Sequence, residues 1–148
     1  MRNRFVLMMS LLALFGTLCS CSNDDGGFTA NYHVLDENGQ DASTFNDGDA
    51  IILELIVTNS TSQTLKKEEL ELLNGAFILY NSDGQKFNPI TYSNFMMHYV
   101  TIGPNEQFCR QLIWPWDIVP LPKGKYYSTY TLNIDNINKM YTINFEIK

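Results

Sequence analysis

His33, His98, Cys109 and a set of loop carboxylates are the side chains here whose chemistry suits catalysis or metal binding. The two histidines fall on different predicted strands, with neither an H-E-x-x-H nor a His-x-His spacing. A zinc site would need both to converge and to recruit carboxylates from elsewhere. No G-x-S-x-G elbow is present and no histidine stands beside a plausible nucleophile, so a catalytic triad has no local signature. The glycines punctuate turns and never form a phosphate-cradling loop. Asp36, Asn38, Gln40 and Asp41, followed by Asp47 and Asp49, offer hard oxygen donors of the kind calcium takes. Their spacing departs from the EF-hand loop and lacks its terminal glutamate, and a hairpin turn with solvated acids is the plainer reading. The expectation is a protein that is not an enzyme, with no metal and no cofactor.

The cysteines point elsewhere. Arg2 and Arg4 precede an apolar run over residues 5–18, broken only by Ser10, Gly16 and Thr17. The run is too short to span a bilayer comfortably and has the layout of a secretory signal. It ends in Leu18-Cys19-Ser20-Cys21, which resembles the lipobox of bacterial lipoproteins. That resemblance implies cleavage before Cys21, a diacylglyceryl thioether on its sulfur and a third acyl chain on the new amino group. Two acyl chains already give stable anchoring, so three tie the protein to a membrane for good. Ser22 is not the aspartate of an inner-membrane retention signal. Asp24 and Asp25 resemble the surface-export signal of Bacteroidota lipoproteins, which implies an outer-membrane, surface-exposed protein. An ordinary signal peptide, and a flexible tether of acids with Gly26 and Gly27, are the corresponding alternatives.

Residues 1–20 are thus expected to be a signal peptide, residues 21–27 an acidic tether, and residues 28–148 one domain. The whole chain carries ten basic and sixteen acidic side chains, a net charge of −6. Loss of Arg2 and Arg4 with the signal leaves eight against sixteen, or −8. No Lys/Arg cluster offsets this acidity, so nucleic acid is excluded as a partner. With Cys19 removed and Cys21 acylated, Cys109 stands alone, and stability must come from the core rather than from disulfides. No base lies near Cys109 in sequence, and a buried, inert role is expected for it.

The elements that position these groups read as strands. Tyr32 and Val34 lie on a first strand closed by the Asn38-Gly39 turn. Ile51, Leu53, Leu55 and Val57 share the core face of a second, and Ile52, Glu54, Ile56 and Thr58 a partly apolar opposite face. Residues 65–73 have helical propensity but alternating Leu70 and Leu72, and are read as a charged edge strand. Extended segments are expected at 76–80 and 95–102. Phe108, Arg110, Leu112 and Trp114 alternate in the next strand until Pro115 ends it. Tyr126, Ser128, Tyr130, Leu132 and Ile134 share a face, as do Tyr141, Ile143, Phe145 and Ile147 in a final strand. Seven or eight short strands with regularly spaced turns argue for an all-β, antiparallel sandwich of immunoglobulin-like type.

Four segments occur in order: L-E-L-I-V-T-N at 53–59, F-I-L-Y-N-S-D-G-Q-K-F at 77–87, I-G-P-N-E-Q-F at 102–108 and L-P-K-G-K-Y at 121–126. Together they resemble the BsuPI family of intracellular proteinase inhibitors, over roughly residues 50–135. The resemblance implies an immunoglobulin-like sandwich and suggests protease inhibition. Residues 90–99 lack the tryptophan that the family carries after its G-q-x-f hairpin. Pro122, Gly124 and Tyr126 also have a physical reading: a tight turn that delivers a tyrosine hydroxyl to backbone at a sandwich corner.

Binding residues are sought in the loops. Trp114 keeps core parity, whereas Trp116 follows the ladder-breaking Pro115. An exposed Trp116 beside Tyr127 would form a stacking platform for a sugar or a hot spot for a protein; packing under the loop is the plainer role. Ile118, Val119 and Leu121 lie in the proline-flanked loop 115–124, which with residues 85–95 is the expected binding surface. The leading expectation is a non-enzymatic module for a protein or glycan. A protease inhibitor, with residues 118–122 held extended by prolines, is the second expectation. A structural assembly subunit that shares its last strand is the third.

Overall fold

The computed structural model describes residues 27–148 apart from residue 74 and residues 90–97. The signal and lipidation residues, with Cys21, Asp24 and Asp25, lie outside the described residues, as do most of loop 85–95 and residues 95–97 of the expected strand 95–102. The described chain is all-β apart from one helical turn. A three-stranded antiparallel sheet takes the order β1 (Phe28–Leu35), β3 (Ile52–Asn59), β8 (Gln107–Ile113). A five-stranded sheet takes the order β2 (Thr44–Phe45), β10 (Ile137–Ile147), β9 (Gly124–Ile134), β5 (Leu79–Asn81), β6 (Lys86–Phe87). A two-stranded ribbon pairs β4 (Leu65–Glu68) with β7 (Tyr99–Ile102). These are ten strands among the described residues rather than seven or eight, because β2 and β6 are two-residue pairings.

Alternation drives the burial. Leu53, Leu55 and Val57 of β3 are fully buried, as expected, while Ile52, Glu54, Ile56 and Thr58 remain half-exposed on the other face. Tyr126, Ser128, Tyr130, Leu132 and Ile134 form one unbroken buried row along β9. Ile143, Phe145 and Ile147 of β10 join it. Each such aliphatic or aromatic side chain contributes about 1.5–3 kcal/mol by leaving water. Polar bonds join the two larger sheets across this core. The Tyr32 hydroxyl lies 2.8 Å from Ser128 Oγ and accepts from the Phe77 amide at 2.8 Å. The Tyr141 hydroxyl accepts from the Ala30 amide at 3.1 Å. The Tyr126 hydroxyl donates to the Pro122 carbonyl, which is the corner expected of the Pro-x-Gly-x-Tyr turn.

Two turns share one construction. In D-E-N-G-Q at 36–40, Asp36 Oδ1 accepts from the amides of Asn38 and Gln40, and Gly39 takes φ +73°. In N-S-D-G-Q at 81–85, Asn81 Oδ1 accepts from the amides of Asp83 and Gln85, and Gly84 takes φ +78°. Such side-chain turns replace ladder bonds that the reversing backbone cannot make, and glycine fills the left-handed position without steric cost. At Asp36 these bonds, that from the Gln40 amide foremost, hold the carboxyl below its ordinary pKa.

Several expectations are corrected. Residues 65–73 are not one strand: β4 stops at Glu68 and Glu69–Leu72 form the one-turn helix α1, which buries Leu72. Residues 76–78 are not extended, because Phe77 is buried with φ +66° and turns the chain. Cys109 is exposed rather than buried, since its β8 neighbours Phe108, Arg110 and Leu112 carry the inward parity. Residues 118–122 are not extended throughout: Ile118 and Val119 close a turn, their amides both bonded to the Pro115 carbonyl.

Candidate functional site

The loop 115–124 is held from beneath. Trp114 is buried and its indole N–H donates to the Val119 carbonyl at 2.8 Å. Trp116 is half-buried; its indole N–H donates to the Asp49 carbonyl at 2.8 Å, and its ring packs against the core. Val119 also packs against the core. Leu121, expected in the binding surface, is 3% exposed and is itself a core residue. Ile118 is 78% exposed and tips the turn. Three prolines and two anchored indoles thus present the Ile118 side chain to solvent.

Tyr127 occupies a different surface. Its parity on β9 is opposite to the buried row, so it stands on the outer face of the five-stranded sheet. Cross-strand pairing sets it between Tyr80 of β5 and Asn144 of β10. Tyr80 and Tyr127 stack with ring centroids 5.4 Å apart and planes 20° from parallel. Tyr127 therefore stacks on Tyr80 and not on Trp116. Beside Tyr127 an open cavity of about 430 Å³ is lined by Ser43, Ser82, Lys125, Tyr126, Tyr127, Asn144, Phe145 and Glu146. A second cavity, of about 470 Å³, continues along the same strand beside Thr129, Thr131 and Asn133, with Lys67 and Glu71 at its side. Lys67 Nζ donates to the Asn133 carbonyl at 2.9 Å and lies 3.9 Å from the Glu71 carboxylate.

No family model matches the chain, and no curated protein does. Its chemistry must be read from the described residues.

Those with reactive groups lie apart. His33 Nδ1 lies 2.9 Å from Asp41 Oδ1 on the exposed side of β1. Cys109 Sγ donates to Glu54 Oε2 at 3.7 Å, on the outer face of the other sheet. Burial and then the Glu54 charge raise the Cys109 pKa, which keeps it a thiol. Among the described residues no three His, Cys, Asp or Glu side chains are grouped so as to hold a metal ion. Asp36 Oδ1, one of the oxygens considered for calcium, is taken up by two amides.

Sequence reasoning found Tyr127 but not its partners. The register that brings Tyr80 to one side links strands distant in the chain, and nothing local to Tyr80 announces it, whereas Asn144 follows from the β9–β10 hairpin and its Asp135-Asn136 turn. Alternation alone could have placed Lys125, Tyr127, Thr129, Thr131 and Asn133 on one outward row.

Proposed function

We propose that this protein is an exported, lipid-anchored module of the cell envelope that binds a protein or glycan and performs no catalysis. Its domain is read as an immunoglobulin-like sandwich. The Tyr126 corner and the two sheets sharing one core support that reading. The observation that carries the binding function is the open cavity on the outer sheet face beside the stacked Tyr80–Tyr127 pair. An aromatic side chain held half-open by a neighbouring ring is suited to contact rather than to core packing. The anchor rests on the lipobox resemblance at Cys21, and the outward orientation on Asp24 and Asp25.

Cells expressing the chain and grown with radiolabelled palmitate should label it, and Cys21→Ser should abolish the label; an unlabelled wild-type chain would refute the anchor. Surface protease treatment of intact cells should remove the domain, and should spare it once Asp24 and Asp25 are both replaced by Asn. For binding, the chain immobilised through its anchor is exposed separately to protein and glycan fractions of envelope material. Binding from either fraction that Tyr127→Ala weakens sustains the module. Equal binding by wild type and Tyr127→Ala removes this site.

A proteinase inhibitor of the BsuPI type is the second reading, favoured by one observation. Ile118 is solvent-exposed on a turn braced by two indole hydrogen bonds, a shape that could fill a hydrophobic protease pocket. Titration against serine, cysteine and metalloproteases tests it. Stoichiometric loss of one activity, reversed by Ile118→Asp, would support inhibition.

A further inference from the structure

We infer that the outer row of β9 is a binding site for a linear, uncharged oligosaccharide; this deepens the binding reading above and rests on it. Lys125, Tyr127, Thr129, Thr131 and Asn133 project from one side of one strand. From Lys125 to Asn133 the row is about 26 Å long at ~3.3 Å per residue, room for several sugar rings in file. One cavity opens beside Lys125 and Tyr127 and the other beside Thr129, Thr131 and Asn133.

The chemistry of the row selects the ligand. Tyr80 covers one face of Tyr127 and fixes the ring, leaving the side toward Asn144 to meet the C–H face of a pyranose. Around it stand two serine hydroxyls, the Asn144 carboxamide, one ammonium and one carboxylate, groups that both donate to and accept from sugar hydroxyls, with Tyr126 and Phe145 as the apolar part of the lining. Charge is balanced at each cavity: Lys125 faces Glu146 across the strands, and Lys67 neighbours Glu71. A phosphate or acidic sugar would find no excess cation there. Of the exposed apolar side chains, Met140 flanks the row opposite Thr131, while Ile113 and Ile118 lie on other surfaces, so a peptide would find only narrow apolar anchorage. The braced tyrosine supplies affinity and the polar row supplies orientation.

The test titrates the isotope-labelled full chain with neutral linear hexasaccharides (glucans of both anomeric linkages, mannan and xylan fragments), following amide resonances. At least one should shift the amides of Tyr127, Thr129 and Asn144, and its disaccharide should bind more weakly. Tyr127→Ala should weaken binding by about tenfold or more, while Tyr127→Phe, which keeps the ring, should stay within about threefold of wild type. Ile113→Ala, on the opposite sheet, should leave binding unchanged, and all variants should keep the wild-type melting temperature. Absence of binding by every hexasaccharide would overturn the inference, as would affinity unaffected by Tyr127→Ala. A parallel titration with proline-rich peptides separates the two readings. Peptide binding lost in Tyr127→Ala, without sugar binding, removes the oligosaccharide and keeps the module; binding of neither removes both.

Discussion

Asn59 shows how one side chain can stand in for a missing stretch of ladder. It ends β3 and is fully buried. Its Nδ2 lies 2.7, 2.9 and 3.1 Å from the carbonyls of Gln63, Ile102 and Gly103, and its Oδ1 accepts from the amide and hydroxyl of Thr61. Asn59→Ala would strand these groups away from water and should cost about 2–4 kcal/mol in urea unfolding. A cost near zero would mean that water replaces the carboxamide. At Cys109 the expected result is kinetic. An exposed thiol ordinarily alkylates readily, but partial desolvation by its neighbours and then Glu54 raise this one's pKa. Iodoacetamide should therefore modify it more slowly than free cysteine near pH ~8, and Glu54→Gln should speed the reaction by about threefold. Equal rates with and without Glu54 would remove the carboxylate from the account.

The hairpin between β9 and β10 is the longest paired element among the described residues, running from Ile137↔Ile134 to Ile147↔Gly124. Its two-residue loop, Asp135-Asn136, puts Asp135 at φ +52°. A positive φ at the first central residue of such a loop is a position glycine fills best. Asp135→Gly should stabilise the domain by about 0.5–1 kcal/mol, read as a higher melting temperature; a lower one would show that the aspartate side chain contributes more than its strain. This hairpin was legible in the sequence because both strands alternate over long runs. Elements that depend on distant partners were not. Thr44–Phe45 is a strand only because it lies parallel to Glu146–Ile147. Phe77 has the composition of a strand residue, yet its left-handed backbone is imposed by packing against Tyr32 and by that hydroxyl's bond to its amide. In residues 65–73, alternation governs the first half, where β7 supplies a partner, and helical propensity the second, where none is paired. The site followed the same division: Tyr127 was readable from β9 alone, Asn144 from the hairpin turn, and Tyr80 only from long-range register.

Across the whole molecule the interior is rich in phenols that must stay neutral. Burial foremost raises the pKa of Tyr32, Tyr126 and Tyr130 above the ordinary value of 10.0. A group that holds its proton more tightly when folded contributes stability that is complete below its unfolded pKa and is lost as pH rises through the folded one. Stability to urea should therefore be level through neutral pH and fall once the unfolded phenols ionise, above about pH 10. A flat profile well beyond that point would contradict the buried-phenol picture. The position of β10 has a consequence for when this domain can exist. It is an inner strand of the five-stranded sheet, with β2 on one side and β9 on the other, although β2 precedes it by a hundred residues. Closing such a distant pair is slow, and it cannot begin until the strand it needs has been made. A nascent chain that has reached only residue 136 has no partner for Thr44–Phe45 and a bare flank along all of β9. Until β10 has been made, the five-stranded sheet stays unclosed.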